Sequence, residues 1–216
     1  KILTTDRLLR YLTSPSALHP ILLCIPLGYA VFGDVGSEKF LMVMENVIPA
    51  VQRPPIYLYT DGASSGNPGP GGYGVVLKCG NYTREISGGF ACTTNNRMEL
   101  LAVIKGLEAI KWHPATVYVV SDSSYVVKAI NERWLAKWKS RGYAKVKNPD
   151  LWMRLEPLLN MHNVTFYWIK GHAGHPENER CDALAVAAGA GAVAAGKILP
   201  EDAGYLQQTS NSATLL

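Results

Sequence analysis

Apolar and polar positions along this chain change their period several times, and the changes mark its elements. Ile56-Tyr57-Leu58-Tyr59-Thr60 is a β-branched and aromatic run ending at Asp61-Gly62, the composition of a strand. Residues 73–79 and 82–90 read as two further strands joined around Gly80-Asn81, and Asn67-Pro68-Gly69-Pro70-Gly71-Gly72 ahead of them reads as a turn. The period then lengthens. Leu100, Leu101, Ile104, Leu107 and Ile110 recur at helical spacing, which predicts a helix over 97–111 stopped by His113-Pro114. Residues 117–121 form a short, nearly all-apolar strand of the kind buried on both faces. Helices are predicted over 123–131 and 149–161 and a last strand over 164–169; a final helix begins at Pro176 and includes the Ala-rich 183–195. A meander followed by alternating helix and strand implies an α/β domain. Its sheet is mixed and five-stranded, three strands antiparallel and two parallel, with helices packed on it.

Composition adds a domain boundary. Of 216 residues, 48% are hydrophobic and 18% charged, which suits one well-filled core and perhaps a short extra piece. Residues 1–54 differ in texture and end at Pro54-Pro55. The apolar stretch over 15–33 is interrupted and falls short of the roughly 20 consecutive apolar residues a membrane span needs. Lys1, Arg7 and Arg10 ahead of it would fit a secretory signal; Met42 or Met44 as the natural start would instead make residues 1–41 a foreign or upstream piece. The chain thus divides into an N-terminal extension of unknown role (1–54), a folded domain (55–207) and a flexible tail (208–216). Cys24, Cys79, Cys92 and Cys181 are widely spaced with no CxxC pair, which points to a reducing, cytoplasmic setting without disulfide framework or zinc site. A monomer with no membrane partner is expected. The net charge of +4 is a weak pointer to a polyanionic partner.

The candidate chemistry lies in four carboxylates, Asp61, Glu99, Asp122 and Asp182. Taken singly, each has a plain structural explanation. Asp61 before Gly62 suits an Asx turn, Asn96 and Glu99 suit a capping box, Asp122 before Ser123 suits an N-cap, and Asp182 suits a solvated helix face. Taken together they point elsewhere. Asp61 and Asp122 close strands that can be parallel neighbours, Glu99 lies in the first turn of the crossover helix, and Asp182 lies in the helix after the last strand. One pocket at the carboxyl edge of the sheet can collect all four. Mutual repulsion there would be relieved by a hard divalent cation such as Mg²⁺.

Longer motifs surround these residues. They are Thr60-Asp61-Gly62-Ala63 with 66–74, Thr94-Asn95-Asn96-Arg97-Met98-Glu99-Leu100, Ser121-Asp122-Ser123, Val146-Lys147-Asn148-Pro149-Asp150-Leu151-Trp152, and the stretch from Lys170-Gly171-His172 to Cys181-Asp182. In these motifs, from about Pro55 to Gln207, the chain resembles bacterial-type ribonuclease HI, of the ribonuclease H family. The resemblance implies an endoribonuclease that hydrolyses the RNA strand of RNA/DNA hybrids, leaving 5′-phosphate and 3′-hydroxyl ends. Asp61, Glu99, Asp122 and Asp182 would then hold two Mg²⁺ ions about 4 Å apart, with Mn²⁺ expected to substitute. His175 would correspond to the family's mobile histidine, and His172 reads as structural.

The resemblance also implies a surface for the hybrid. Arg133, Lys137, Lys139, Arg141, Lys145 and Lys147 lie in one stretch without an acidic residue, interleaved with Trp134, Trp138 and Tyr143. This stretch corresponds to a basic protrusion that in the family grips the DNA strand, here shortened; exposed tryptophans beside its lysines would suit that role. Asn67, Thr94, Asn95, Asn96 and Asn148 match polar positions near the hybrid, and Ser124 stands where many relatives carry glutamine. Two alternatives stay open: a weak or inactive hybrid-binding module, and the ribonuclease H tail of a reverse transcriptase.

Overall fold

The computed structural model describes residues 53–213, and the expectations for residues 1–52 lie outside the described residues. The compact unit begins at Arg53, just ahead of Pro54-Pro55. Its sheet contains β1 (Ile56–Ser64), β2 (Gly69–Cys79), β3 (Tyr82–Thr93), β4 (Thr116–Ser121) and β5 (Asn163–Trp168) in the order β3-β2-β1-β4-β5. β1, β2 and β3 pair antiparallel, whereas β1–β4 and β4–β5 are parallel, as the pattern predicts. The helices are α1 (Asn95–Glu108), α2 (Ser124–Asn131), α3 (Trp134–Ser140), α4 (Pro149–Met161), α5 (Pro176–Ala188), α6 (Ala190–Ala194) and α7 (Ala203–Ala213).

Register positions the site. The parallel pairing of β1 with β4 runs from Ile56↔Val117 to Thr60↔Ser121 and stops there. Asp61 and Asp122 are the next residues on each strand, so both carboxylates stand at the carboxyl edge of the parallel pair. β1 itself does not end at Asp61. It continues to Ser64 on the antiparallel side, paired with β2 as far as Ser64↔Gly71. The predicted turn is correspondingly shorter, because β2 starts at Gly69 and Gly71 and Gly72 already pair with β1.

α1 and α5 clasp the sheet from opposite faces. The β1 residues Leu58 and Gly62 meet α1 at Gly106 and Glu99, whereas Gly74 on β2, paired with Asp61, meets α5. Strand alternation therefore puts Asp61 on the α5 face. A Cβ at Gly74 would stand 2.0 Å from the Cys181 carbonyl oxygen. Only glycine lets α5 settle this close, and that approach carries the neighbouring Asp182 toward the strand edge. Two ion pairs, Lys78–Glu177 and Arg180–Glu85, flank the same helix. The core between α1, α4 and the sheet is built from Leu58, Val75, Met98, Ile104, Val117, Val119, Trp152 and Leu155, all fully buried.

Three further expectations are corrected. α1 begins at Asn95, two residues before the predicted start, and ends at Glu108. The Ala-rich helix is broken at Gly189 into α5 and α6. Residues 208–213, expected to belong to a flexible tail over 208–216, are part of α7, where the Gln208 side chain donates to Asp150 at 2.6 Å; the rest of that expectation lies outside the described residues.

Candidate metal and nucleic-acid site

The local geometry removes the single-residue explanations one by one. Asp61 is buried inside a strand, not in a turn, and its Oδ1 accepts from the Gly62 amide at 2.7 Å. Thr94 is the N-cap of α1, and no capping box forms. The Glu99 carboxylate instead accepts from Asn95 Nδ2 at 2.9 Å and from the Ser123 hydroxyl. Asp122 is not a cap, because Ser123 holds that position on α2 and its side chain accepts from the Val126 amide. Its Oδ2 accepts from Asn178 Nδ2 at 3.3 Å, and its backbone carbonyl accepts from the Trp168 indole at 2.9 Å. Asp182 is half-buried on α5, one turn after Asn178.

Electrostatics link the four. Burial pushes the Asp61 carboxyl up to about 7; the charges of Asp122, Asp182 and Glu99 push the same way, and the Gly62 amide pulls it down. Burial also lifts Glu99 to about 7, with Asp122 adding to the rise and hydrogen bonds from Ser123 and Asn95 opposing it. Carboxylates so raised are short of positive charge. The donor set, all oxygen and all acidic, fits a hard divalent cation such as Mg²⁺. Among the described residues, however, no three Asp, Glu, His or Cys side chains converge on one point as they stand. Glu99 bonds to Ser123 and Asn95, and Asp122 bonds to Asn178.

Around this centre, the asparagines form a chain. Asn67 Oδ1 accepts from the Asn95 amide at 3.3 Å, and Asn95 in turn reaches Glu99. Asn67, Asn96 and Ser124 are exposed, and Thr94 and Asn95 are half-buried. Asn148 is buried, with its Nδ2 donating to the Tyr125 hydroxyl at 3.3 Å and its Oδ1 accepting from Arg97 at 3.5 Å. His175 is exposed at the N-cap of α5, and His172 precedes it with φ of 51°.

The basic segment divides into a packed base and a free rim. Trp134 and Trp138 are half-buried against the core, not exposed as expected. Their ring centroids lie 6.1 Å apart, and Trp138 stands 5.2 Å from the Trp152 ring. Lys139 pairs with Glu156. Lys137, Arg141, Lys145 and Lys147 stay exposed, and Arg141, Lys145 and Lys147 line a groove with Tyr125 and Trp138. The turn back to α4 passes through left-handed backbone at Tyr143, Lys145 and Asn148 (φ 60°, 61° and 58°).

Some supporting residues lie in or near the sequence motifs, but their pairing carries no signal in the sequence. Arg97, 2% exposed, places its guanidinium between Asp150 and Asp202, bonding each with two contacts of 2.8 to 2.9 Å. It thereby ties the first turn of α1 to α4 and to the residue before α7. Asp202 also accepts from Thr93 at 2.7 Å and from the Tyr205 amide at 3.1 Å, capping α7.

Comparison with known proteins agrees with this geometry. The RNase H family profile matches residues 53–190. A protein named Ribonuclease H from Nitratidesulfovibrio vulgaris (strain Miyazaki F) is 51% identical over 155 residues, covering 69% of this chain and 96% of that one. Another of that name, from Desulforamulus reducens, is 59% identical over 138 residues, covering 62% and 86%. Among solved structures, LC9-RNase H1, described as a type 1 RNase H with the type 2 active-site motif, superposes with a TM-score of 0.59 at 34% identity, covering 64% of this chain and 73% of that one. With the family match over residues 53–190 and a five-stranded mixed sheet, the chain belongs to the RNase H family.

Proposed function

We propose that this protein is an endoribonuclease that hydrolyses the RNA strand of RNA/DNA hybrids. What supports the reading is that Asp61 and Asp122 follow the last paired residues of two parallel neighbours, β1 and β4. Glu99 accepts from Ser123, the residue after Asp122, and Asp182 is among the charges that raise the buried Asp61. Two divalent cations held by these residues, Mg²⁺ by preference with Mn²⁺ substituting, would activate the attacking water and stabilise the leaving 3′-oxygen. The chain's own groups do the rest. Ser123 and Asn95 orient Glu99, and Asn178 orients Asp122. His175, exposed beside the glycine at 174 with φ of 81°, is free to pass a proton at the edge of the site. Asn67 and Asn95, linked to each other and through Asn95 to Glu99, together with Thr94, Asn96 and Ser124, would contact the hybrid beside the carboxylates. The exposed cations Lys137, Arg141 and Lys147 grip the phosphate backbone of the hybrid. Among the described residues no helix is long and apolar enough to cross a membrane.

The test uses a hybrid labelled separately in each strand, incubated with the full chain and Mg²⁺ or with EDTA. Cutting of the RNA strand alone, with 5′-phosphate ends and only when metal is present, is the expected result. Cutting of the DNA strand or of duplex RNA at a comparable rate would contradict the reading. Tight hybrid binding with no cutting would favour a binding module instead.

A further inference from the structure

Two buried side-chain polar atoms lack a hydrogen-bond partner among the described residues, Thr60 Oγ1 and Asn178 Oδ1. Both adjoin the carboxylate cluster, since Thr60 precedes Asp61 and the Asn178 amide nitrogen touches Asp122. Asn178 is 3% exposed, so no bulk water reaches the unpaired oxygen cheaply. Its orientation is not arbitrary. Exchanging its amide nitrogen and oxygen would set Oδ1 against the Asp122 carboxylate, acceptor against acceptor, and would lose the bond the side chain makes among the described residues.

The surroundings of Asp122 Oδ2 show what this bond does. On one side is Asn178 Nδ2; on another is Gly171, where a Cβ would stand 2.5 Å from the same oxygen. The amide donates to this oxygen, and the Gly171 backbone packs too close beside it for a side chain to fit. Asn178 also lies one helical turn before Asp182 on α5, so the two side chains share a helix face. One bond therefore latches α5 to the end of β4, and with it sets the spacing between Asp182 and Asp122.

We propose that Asn178 is a positioning residue of the carboxylate site. Its amide N–H holds Asp122 in place relative to Asp182. Its buried Oδ1 accepts from a water that a divalent cation brings into the site. This inference rests on the metal-dependent reading above, but its test does not depend on cleavage. Groups in this second layer typically change metal affinity by about 10- to 100-fold when removed.

Mn²⁺ binding is measured by calorimetry on the full-length chain without nucleic acid, for wild type and Asn178→Ala, beside thermal melts of each. Asn178→Ser, which leaves a small polar group in the cavity, replaces the alanine variant if that one does not fold. The expected result is Mn²⁺ affinity at least about tenfold weaker in the folded variant. On the hybrid, kcat should fall while KM stays within about twofold, because phosphate contacts are untouched. A lower melting temperature with unchanged Mn²⁺ affinity would overturn the proposal and leave Asn178 a packing residue. Wild-type protein that binds Mn²⁺ but cuts no hybrid would sink the nuclease reading, while the affinity difference would still decide the role of Asn178.

Discussion

Gly62 lies directly on the backbone of Glu99: a Cβ built on Gly62 would stand 2.2 Å from the Glu99 amide nitrogen. The contact joins β1 to the first turn of α1 and places Glu99 beside Asp61. Because both partners are backbone, nothing flexible can yield. Gly62→Ala is expected to cost about 1–3 kcal/mol or more through overpacking, and to lower kcat by pushing Glu99 away from Asp61. Urea denaturation and hybrid cleavage check the two effects; a variant as stable and as fast as wild type would mean the α1 contact is looser than it stands.

Arg97 supplies a second prediction. Its guanidinium is buried between Asp150 and Asp202, and burial of Asp202 is outweighed by Arg97 and Thr93, which hold its carboxyl below the usual range. Asp202→Ala leaves a buried cation half-paired and uncaps α7. Destabilisation of about 3–5 kcal/mol is expected in chemical denaturation. A loss within about 1 kcal/mol would place the network among weak surface pairs.

The topology was largely legible from the sequence because period and length decided it: residues 56–60 and 117–121 could hardly be anything but strands. Boundaries were less legible where two kinds of pairing compete. β1 loses its parallel partner after Thr60 but keeps its antiparallel one to Ser64, and apolar patterning does not mark that change. The four carboxylates stood out through their surrounding motifs. Their orienting partners did not, since a serine after an aspartate signals an N-cap as readily as a bond to Glu99. The tryptophans misled because aromatics among lysines suit a stacking surface, whereas Trp138 packs on Trp152, a residue on another helix. The Arg97 network joins residues over 100 positions apart, a pairing that local spacing cannot reveal.

His162 gives a pH dependence of known sign. It is buried, its Nδ1 accepts from the Ala115 amide at 3.2 Å, and burial together with nearby His113 holds its pKa below the usual value. A lowered folded pKa means that its stabilising contribution is present above the unfolded value of about 6.5 and is lost as pH falls through the folded one. Asp61 and Glu99, raised to about 7, act in the opposite sense over the same range. The comparison of wild type with His162→Asn isolates the histidine. Between pH 7 and 5 the wild type is expected to lose stability relative to the variant; parallel melting curves would contradict this.

The free rim of the basic segment should govern binding more than chemistry. Replacing Lys137, Arg141 and Lys147 together is expected to raise KM more than it lowers kcat. Each lost phosphate contact should flatten the log–log salt dependence by about 0.7 to 0.9. Lys139→Ala, which removes a cation already paired with Glu156, should change the slope less. An unaltered slope in the triple variant would take this segment off the binding surface.

The most direct test of the carboxylate site is single-turnover cleavage of a hybrid with Mg²⁺ by Asp61→Asn and Asp122→Asn beside wild type. Each substitution removes a charge from a repulsive cluster, so the metal-free variants should melt no lower than wild type. Cleavage should fall by about a thousandfold or more, the equivalent of several kcal/mol of transition-state stabilisation. Folded variants that cut within about tenfold of wild type would contradict the assignment of these carboxylates as the site of the reaction.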